Sequence, residues 1–179
     1  MRRAVILSFL MLLVFNISWS QLRLVPGSIE EMNFGVFYKT GNGQGSITLN
    51  PASPASSSYF GVEYDDLSTI KPFTFRIEKT VNEKITIILQ KGGAGSQLQS
   101  LDRARGHTLN LLPNSFVIYA EGDILESYTQ NKLNFREGRG FVTIKVGATL
   151  RIPNNAIDAD YISTGQYILN YWTNWQYLP

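Results

Sequence analysis

Residues 142–171 read VTIKVGATLRIPNNAIDADYISTGQYILNY, and this stretch decides the fold. Val142, Ile144, Val146, Ala148, Leu150 and Ile152 alternate with Thr143, Lys145, Gly147, Thr149 and Arg151, the period of two that turns one side of a β-strand towards a core. At about 3.3 Å per residue this run exceeds the usual strand length. A bend or bulge is therefore expected at Gly147, where a missing side chain lets the strand pass from one sheet towards the other. Pro153-Asn154-Asn155 ends the run. Gly165 opens a last strand, with Tyr167, Leu169 and Tyr171 opposing Ile168, Asn170 and Trp172.

Upstream the strand patterns continue. Gln21 to Val25 is a short strand ended by Pro26-Gly27. Met32 to Tyr38 and Gln44 to Leu49 flank Gly41-Asn42-Gly43, where Asn-Gly supplies the positive φ angles of a tight turn, so a hairpin is expected. Pro51 to Ser58, rich in Ser, Ala and Pro, reads as a loop, and Tyr59 to Tyr64 as a short strand closed by Asp65-Asp66. Phe73, Phe75 and Ile77 alternate, as do Ile85, Ile87 and Leu89, and the turn near Val81 to Glu83 predicts a second hairpin. Lys91 to Ser100 is a Gly-, Ser- and Gln-rich connection. A weak strand around His107 to Leu112 and a better one at Phe116 to Glu121 follow, and the spacing of Ile124, Leu125 and Tyr128 suggests one helical turn. No internal repeat is apparent.

The other end of the chain carries an export pattern. Arg2 and Arg3 precede an apolar run from Ala4 to Phe15, and Ser18-Trp19-Ser20 places small residues where a signal peptidase reads, so residues 1–20 are expected to be a signal peptide and residues 21–179 a single domain. The run is shorter than the roughly 20 residues that cross a bilayer, and no later segment approaches that length. With no cysteine in the chain, stability has to come from packing rather than disulfides. Leaving out Arg2 and Arg3, 14 basic residues face 14 acidic ones. A phosphate backbone requires a basic face, so nucleic acid is not an expected partner.

Three ordered groups of residues carry a family resemblance: Met32-Asn33-Phe34-Gly35, then Gly45-Ser46-Ile47-Thr48-Leu49-Asn50-Pro51, then Val146-Gly147-Ala148-Thr149-Leu150 followed by Gly165-Gln166-Tyr167 and Asn170-Tyr171. The chain resembles the secreted bacterial family known as domain of unknown function 4402. The resemblance implies an immunoglobulin-like antiparallel β-sandwich, similar in architecture to bacterial fimbrial subunits, on an exported protein with no established activity. The segment Ile157 to Thr164 is longer and more acidic than the turn typical of the family, and Thr173 to Pro179 runs past its usual terminal tyrosine. Gly165 to Tyr177 also resembles the closing strand of pilins assembled by a chaperone and usher. Leu178 holds the place of their penultimate tyrosine, and Leu22, Leu24 and Pro26 are what the N-terminal stretch offers as a donor strand.

Chemistry is sparse. His107 is the only histidine, so a triad or an imidazole-rich zinc site would depend on it alone, and it reads as a solvent-edge residue. No serine sits in a G-x-S-x-G elbow. Lys91-Gly92-Gly93-Ala94-Gly95-Ser96 reverses the order of a phosphate-binding loop and reads as a connection. Asp65-Asp66 and Asp158 with Asp160 supply oxygen ligands or paired carboxylates only if the fold gathers them. The aromatic tail, with Trp172, Trp175 and Tyr177, is the candidate binding platform, since indole and phenol rings stack on sugars or fill protein pockets.

The sequence therefore leads to an exported, non-enzymatic all-β domain with no expected cofactor or metal. It is read as a cell-envelope or fimbria-like structural or adhesion component of a Gram-negative bacterium, in the periplasm, at the surface or outside the cell. Its expected partners are envelope or fimbrial proteins paired through edge strands, or surface glycans; the alternative is a monomeric carbohydrate-binding module using Trp172, Trp175 and Tyr177.

Overall fold

The computed structural model of the protein describes residues 22–66, 70–90, 97–100, 108–112, 115–129, 132–156, 161–163 and 170–173. Its strands are β1 (Leu22–Leu24), β2 (Val36–Lys39), β3 (Gly45–Thr48), β4 (Ser58–Phe60), β5 (Val62–Asp66), β6 (Phe73–Lys79), β7 (Ile85–Gln90) and β8 (Gln97–Ser100). They continue with β9 (Thr108–Leu111), β10 (Val117–Glu121), β11 (Leu125–Tyr128), β12 (Lys132–Phe135), β13 (Gly140–Gly147), β14 (Thr149–Ile152), β15 (Tyr161–Ser163) and β16 (Asn170–Thr173). The sheets run β1-β6-β13-β10, β11-β12-β7-β16, β15-β8-β9-β14-β3-β4 and β2-β5, and the paired strands are antiparallel. The protein is an all-β, antiparallel sandwich, as the alternating patterns predict.

The stretch 140–152 is its spine. β13 and β14 are separated only by Ala148, and Val142, Ile144, Val146, Ala148, Leu150 and Ile152 are all buried. The first three pack with Phe75, Ile85, Ile87, Ile118, Leu133 and Phe135 between the two four-stranded sheets. The last three belong to a second cluster with Phe34, Ile47, Leu49, Val62, Leu109 and Leu111. One strand face thus serves both cores, and half-buried Phe116 touches each. On one flank β9 and β10 lie end to end. Leu112 N–H donates to Thr149 O at 2.9 Å, and Thr149 N–H donates to Ser115 Oγ at 2.9 Å, so a hydroxyl fills the gap between the two strands.

At Gly147 the chain does pass from the four-stranded to the six-stranded sheet, and the glycine is needed because the segment Leu49–Pro51 crosses over it. A Cβ placed there would stand 2.1 Å from Leu49 O and 2.8 Å from Pro51 Cδ. The alternation is not reset. Leu49 N–H donates to Ala148 O at 2.9 Å, which draws the two backbones together at that point.

Neither expected hairpin forms. β2 pairs with β5, and β3 with β4 and β14, so residues 58–66 form one long partner for both, and residues 40–44 are an excursion between collinear strands. A tight two-residue turn at Asn42-Gly43 requires positive φ at both positions, and Gly43 has none, whereas Gly41 has φ 74°. The strand expected at Tyr59 to Tyr64 is divided at Gly61, whose φ is 65°. Thr40 N–H donates to Gly61 O at 3.0 Å there. Tyr59 lies opposite buried Ile47, and Val62 is buried in the same cluster, so the bulge skips one residue and keeps both on the core side. β6 and β7 stand in opposed sheets and meet through Phe75, Ile85 and Ile87; their connection is an arch. The helical turn expected at Ile124 to Tyr128 is strand β11, with a register shift between Leu125 and Ser127 that blurs its alternation.

Lys79 closes the arch. It is the one buried charged residue among those described, and its ammonium donates to Val81 O at 2.8 Å, Arg136 O at 3.2 Å and Gly138 O at 2.5 Å. These carbonyls belong to two connections that meet at the end of the sandwich. Burial lowers the Lys79 pKa from 10.5, against the opposing pull of Glu137 and Glu83. Below 10.5 the unfolded chain consequently binds more protons than the folded one, and this group's contribution to stability rises with pH through that interval.

Two outcomes follow from these contacts. Gly147→Ala will lose about 3 kcal/mol in urea unfolding through the overpacked crossing, while Gly43→Ala, whose Cβ meets nothing within 4 Å, will be neutral or stabilising by about 0.5 kcal/mol; equal effects at the two sites would contradict the crossing. Lys79→Met will lose about 2 kcal/mol at neutral pH because buried carbonyls lose their donor, and stability measured against pH will no longer show the lysine's alkaline rise.

Candidate functional site

The strand pair β2 and β5, with β4 beside it, carries most of the exposed aromatic surface that the structure describes. Phe37 and Tyr64 face each other across the pair, as do Tyr38 and Glu63. The first couple points to the core and the second to solvent. Phe37 and Tyr64 meet edge to face at 6.1 Å, and Tyr59 meets Tyr64 at 5.1 Å and 79°. The three rings form the rim of the second core, not a flat platform.

On the solvent side of this rim, and part of it, Tyr38 is 50% and Phe60 73% exposed. Val36 and Tyr59 are exposed as well. Phe60 lies opposite Ser46, whose other neighbour is Arg151, and Arg151 is held by Gln44 Oε1 at 2.7 Å. Tyr38 donates its hydroxyl to Glu63 Oε2 at 2.8 Å. That hydrogen bond, followed by the negative charge of Glu63, a little burial and the charge of Asp65, raises the Tyr38 pKa above 10.0. Lys39, next in β2, turns away to donate to Asn154 O at 2.6 Å.

Tyr64 is unusual. Its hydroxyl is buried and, among the described residues, has no hydrogen-bond partner. Burial, then the neighbouring Tyr59, pushes its pKa up to about 12. A buried hydroxyl without a partner costs free energy.

The outer face of the β1-β6-β13-β10 sheet differs in kind. There Arg76 stacks over Phe141 at 4.9 Å, and Arg23 pairs with Glu78. Lys145 binds Glu121 at 2.8 Å and lies over Tyr119 at 5.5 Å. The hydrogen bond from Lys145 is the main cause that holds Glu121 below its ordinary pKa. Cross-strand pairs of this kind satisfy a solvated face. Among the described residues, no such cation covers Tyr38, Tyr59 or Phe60.

Of the residues expected to matter, Trp172 lies in β16 opposite Ile88, on the outermost strand of its sheet. Trp175, Tyr177, His107, Lys91 to Ser96, Asp158 and Asp160 lie outside the described residues. Asp65 sits in β5, near enough to Tyr38 to act on it. No group of three or more His, Asp or Glu suited to a metal occurs among the described residues, and no described helix is long and apolar enough to cross a membrane. Leu22 and Leu24 are engaged within the chain, and Pro26 is exposed. β1 pairs with β6, Val25 N–H donates to Arg76 O, Glu30 and Asn33 bridge to Thr74 and Lys71, and Ser28 Oγ accepts from Arg76 N–H at 3.0 Å. The N-terminal arm thus covers the β6 edge.

The rim at Tyr38, Tyr59 and Phe60 was missed by the sequence reading. Its signal was present in the adjacent pair Tyr59-Phe60 after a Ser-rich loop, where strict alternation would have sent one ring to solvent. Comparisons with known protein families, with characterised proteins and with solved structures find no match.

Tyr64→Phe will raise stability by about 1 kcal/mol, because it removes a buried hydroxyl that has no partner among the described residues. Since folding raises this pKa from 10.0 to about 12, the wild type loses stability as pH rises through that interval, and the variant will lose less. Denaturant midpoints at neutral and alkaline pH measure both effects; a destabilised variant would show that the hydroxyl is bonded.

Proposed function

We propose that this chain is an exported, non-enzymatic β-sandwich of the domain of unknown function 4402 type, acting as a structural or adhesion component of a bacterial envelope. The export pattern of residues 1–20, the ordered family residues and the antiparallel sandwich support the reading. The observation that carries it is the aromatic rim. Val36, Tyr38, Tyr59 and Phe60 are each exposed, on strands β2 and β4, whose backbones are fixed by pairing to β5 and β3. Exposed aromatic side chains on a rigid support lose little conformational freedom on contact and are enriched where surfaces bind. An envelope component needs such a face to hold its neighbours.

Strand addition is the other route to assembly, and it would have to use an edge other than β6, which the N-terminal arm covers. Among the described strands, the outer side of β10 is one such edge. Adding a strand there supplies backbone hydrogen bonds, and the rim supplies side-chain contacts.

The purified protein will co-sediment with isolated Gram-negative envelope, and the double variant Tyr38→Ser, Phe60→Ser will bind at least about tenfold more weakly at an unchanged unfolding temperature. Undiminished binding by the variant would remove the rim from the proposal. Glycan arrays probed with both proteins decide whether the surface partner is a sugar.

A further inference from the structure

The Gly41-Asn42-Gly43 turn does not close a hairpin. Residues 41–44 are exposed, and a Cβ at Gly41 or Gly43 would meet nothing within 4 Å. The excursion is anchored at both ends, by Thr40 N–H on Gly61 O at 3.0 Å and by Arg151 on Gln44 at 2.7 Å. Between the anchors no hydrogen bond from described residues holds the Asn42 amide or the Gly43 N–H.

Three other asparagines are held by hydrogen bonds. Asn33 Oδ1 accepts from Gly35 N–H, Asn50 Oδ1 from Ala52 N–H, and the Asn134 amide joins Thr86 to Ser127. They are followed by Phe34, Pro51 and Phe135, whereas Asn42 is followed by glycine. A side-chain amide next to an unhindered, unbonded backbone nitrogen is the arrangement that cyclises. Bonding and a bulky or imide-type successor each prevent it.

We infer that Asn42 is a site of spontaneous covalent modification in the folded protein, by deamidation through a cyclic imide. The Gly43 nitrogen attacks Asn42 Cγ, the Cγ–Nδ2 bond breaks, and the proton lost from the Gly43 nitrogen leaves with the side-chain nitrogen as ammonia. Solvent water then opens the five-membered ring at either carbonyl. The products are aspartate, or isoaspartate with one more carbon in the main chain. No electrons are transferred, and water is the only co-reactant. Each turnover adds one negative charge to a loop that joins Tyr38's strand to Ser46's, beside the aromatic rim. The chemistry is independent of what the rim binds.

The purified chain should be aged at mildly alkaline and at mildly acidic pH and then digested with trypsin. The peptide from Thr40 to Arg76, uncut at Lys71-Pro72, will gain about one dalton, faster at alkaline pH, with fragmentation placing the gain at Asn42. Isoaspartyl methyltransferase will label the aged chain. Gly43→Ala will fold normally and slow the gain several-fold, and Asn42→Gln will abolish it. No gain in the folded chain, or a gain placed at Asn50 instead, overturns the inference.

Discussion

The close approach of Leu49–Pro51 to Gly147 is the contact on which the architecture depends. It brings the end of β3 against the spine at the point where β13 gives way to β14, and the Leu49 to Ala148 hydrogen bond fixes the distance. The spine keeps one face buried along its length, so the two hydrophobic clusters are filled from a single alternating run. Slipping that run by one residue would turn six apolar side chains outward together. The register is therefore specified twice, by hydrophobic pattern and by the steric gap at position 147.

This explains what was legible in the sequence. The all-β class and the change of sheet at Gly147 were readable because alternation and a lone glycine are local signals. Partner choice was not. Alternating runs joined by a short polar turn give a hairpin or an arch depending on which sheet the second run enters, and only packing of Phe75 against Ile85 and Ile87 decides between them. The same limit applies to Gly41-Asn42-Gly43, since residues 58–66 were long enough to pair with both flanking strands. Lys79 was equally hidden: a lysine ending an alternating run reads as a solvated edge until the carbonyls of Val81, Arg136 and Gly138 are seen to converge on it.

The candidate surface was legible only in its residue types. Trp172, Trp175 and Tyr177 drew attention as the densest aromatic group, whereas three of the five described exposed rings, Tyr38, Tyr59 and Phe60, lie on β2 and β4 and the other two are Tyr128 and Phe141. The bulge at Gly61 adds to the difficulty: by skipping one residue it turns Val62 and Tyr64 towards the core and Glu63 and Asp65 to solvent, the reverse of what a strict period of two running on from Phe60 would give.

The two ends of the molecule resolve aromatic exposure differently. On the outer face of β6, β13 and β10, Phe141 and Tyr119 are covered by Arg76 and Lys145, so the rings are satisfied within the chain. At the rim, Tyr38 is bonded to an acid, Phe60 is largely uncovered, and Tyr64 keeps a buried hydroxyl that has no partner among the described residues. Packing alone would favour an aliphatic side chain or phenylalanine at position 64 and a polar one at position 60. At both positions the local choice opposes stability on a scaffold that is otherwise well paired.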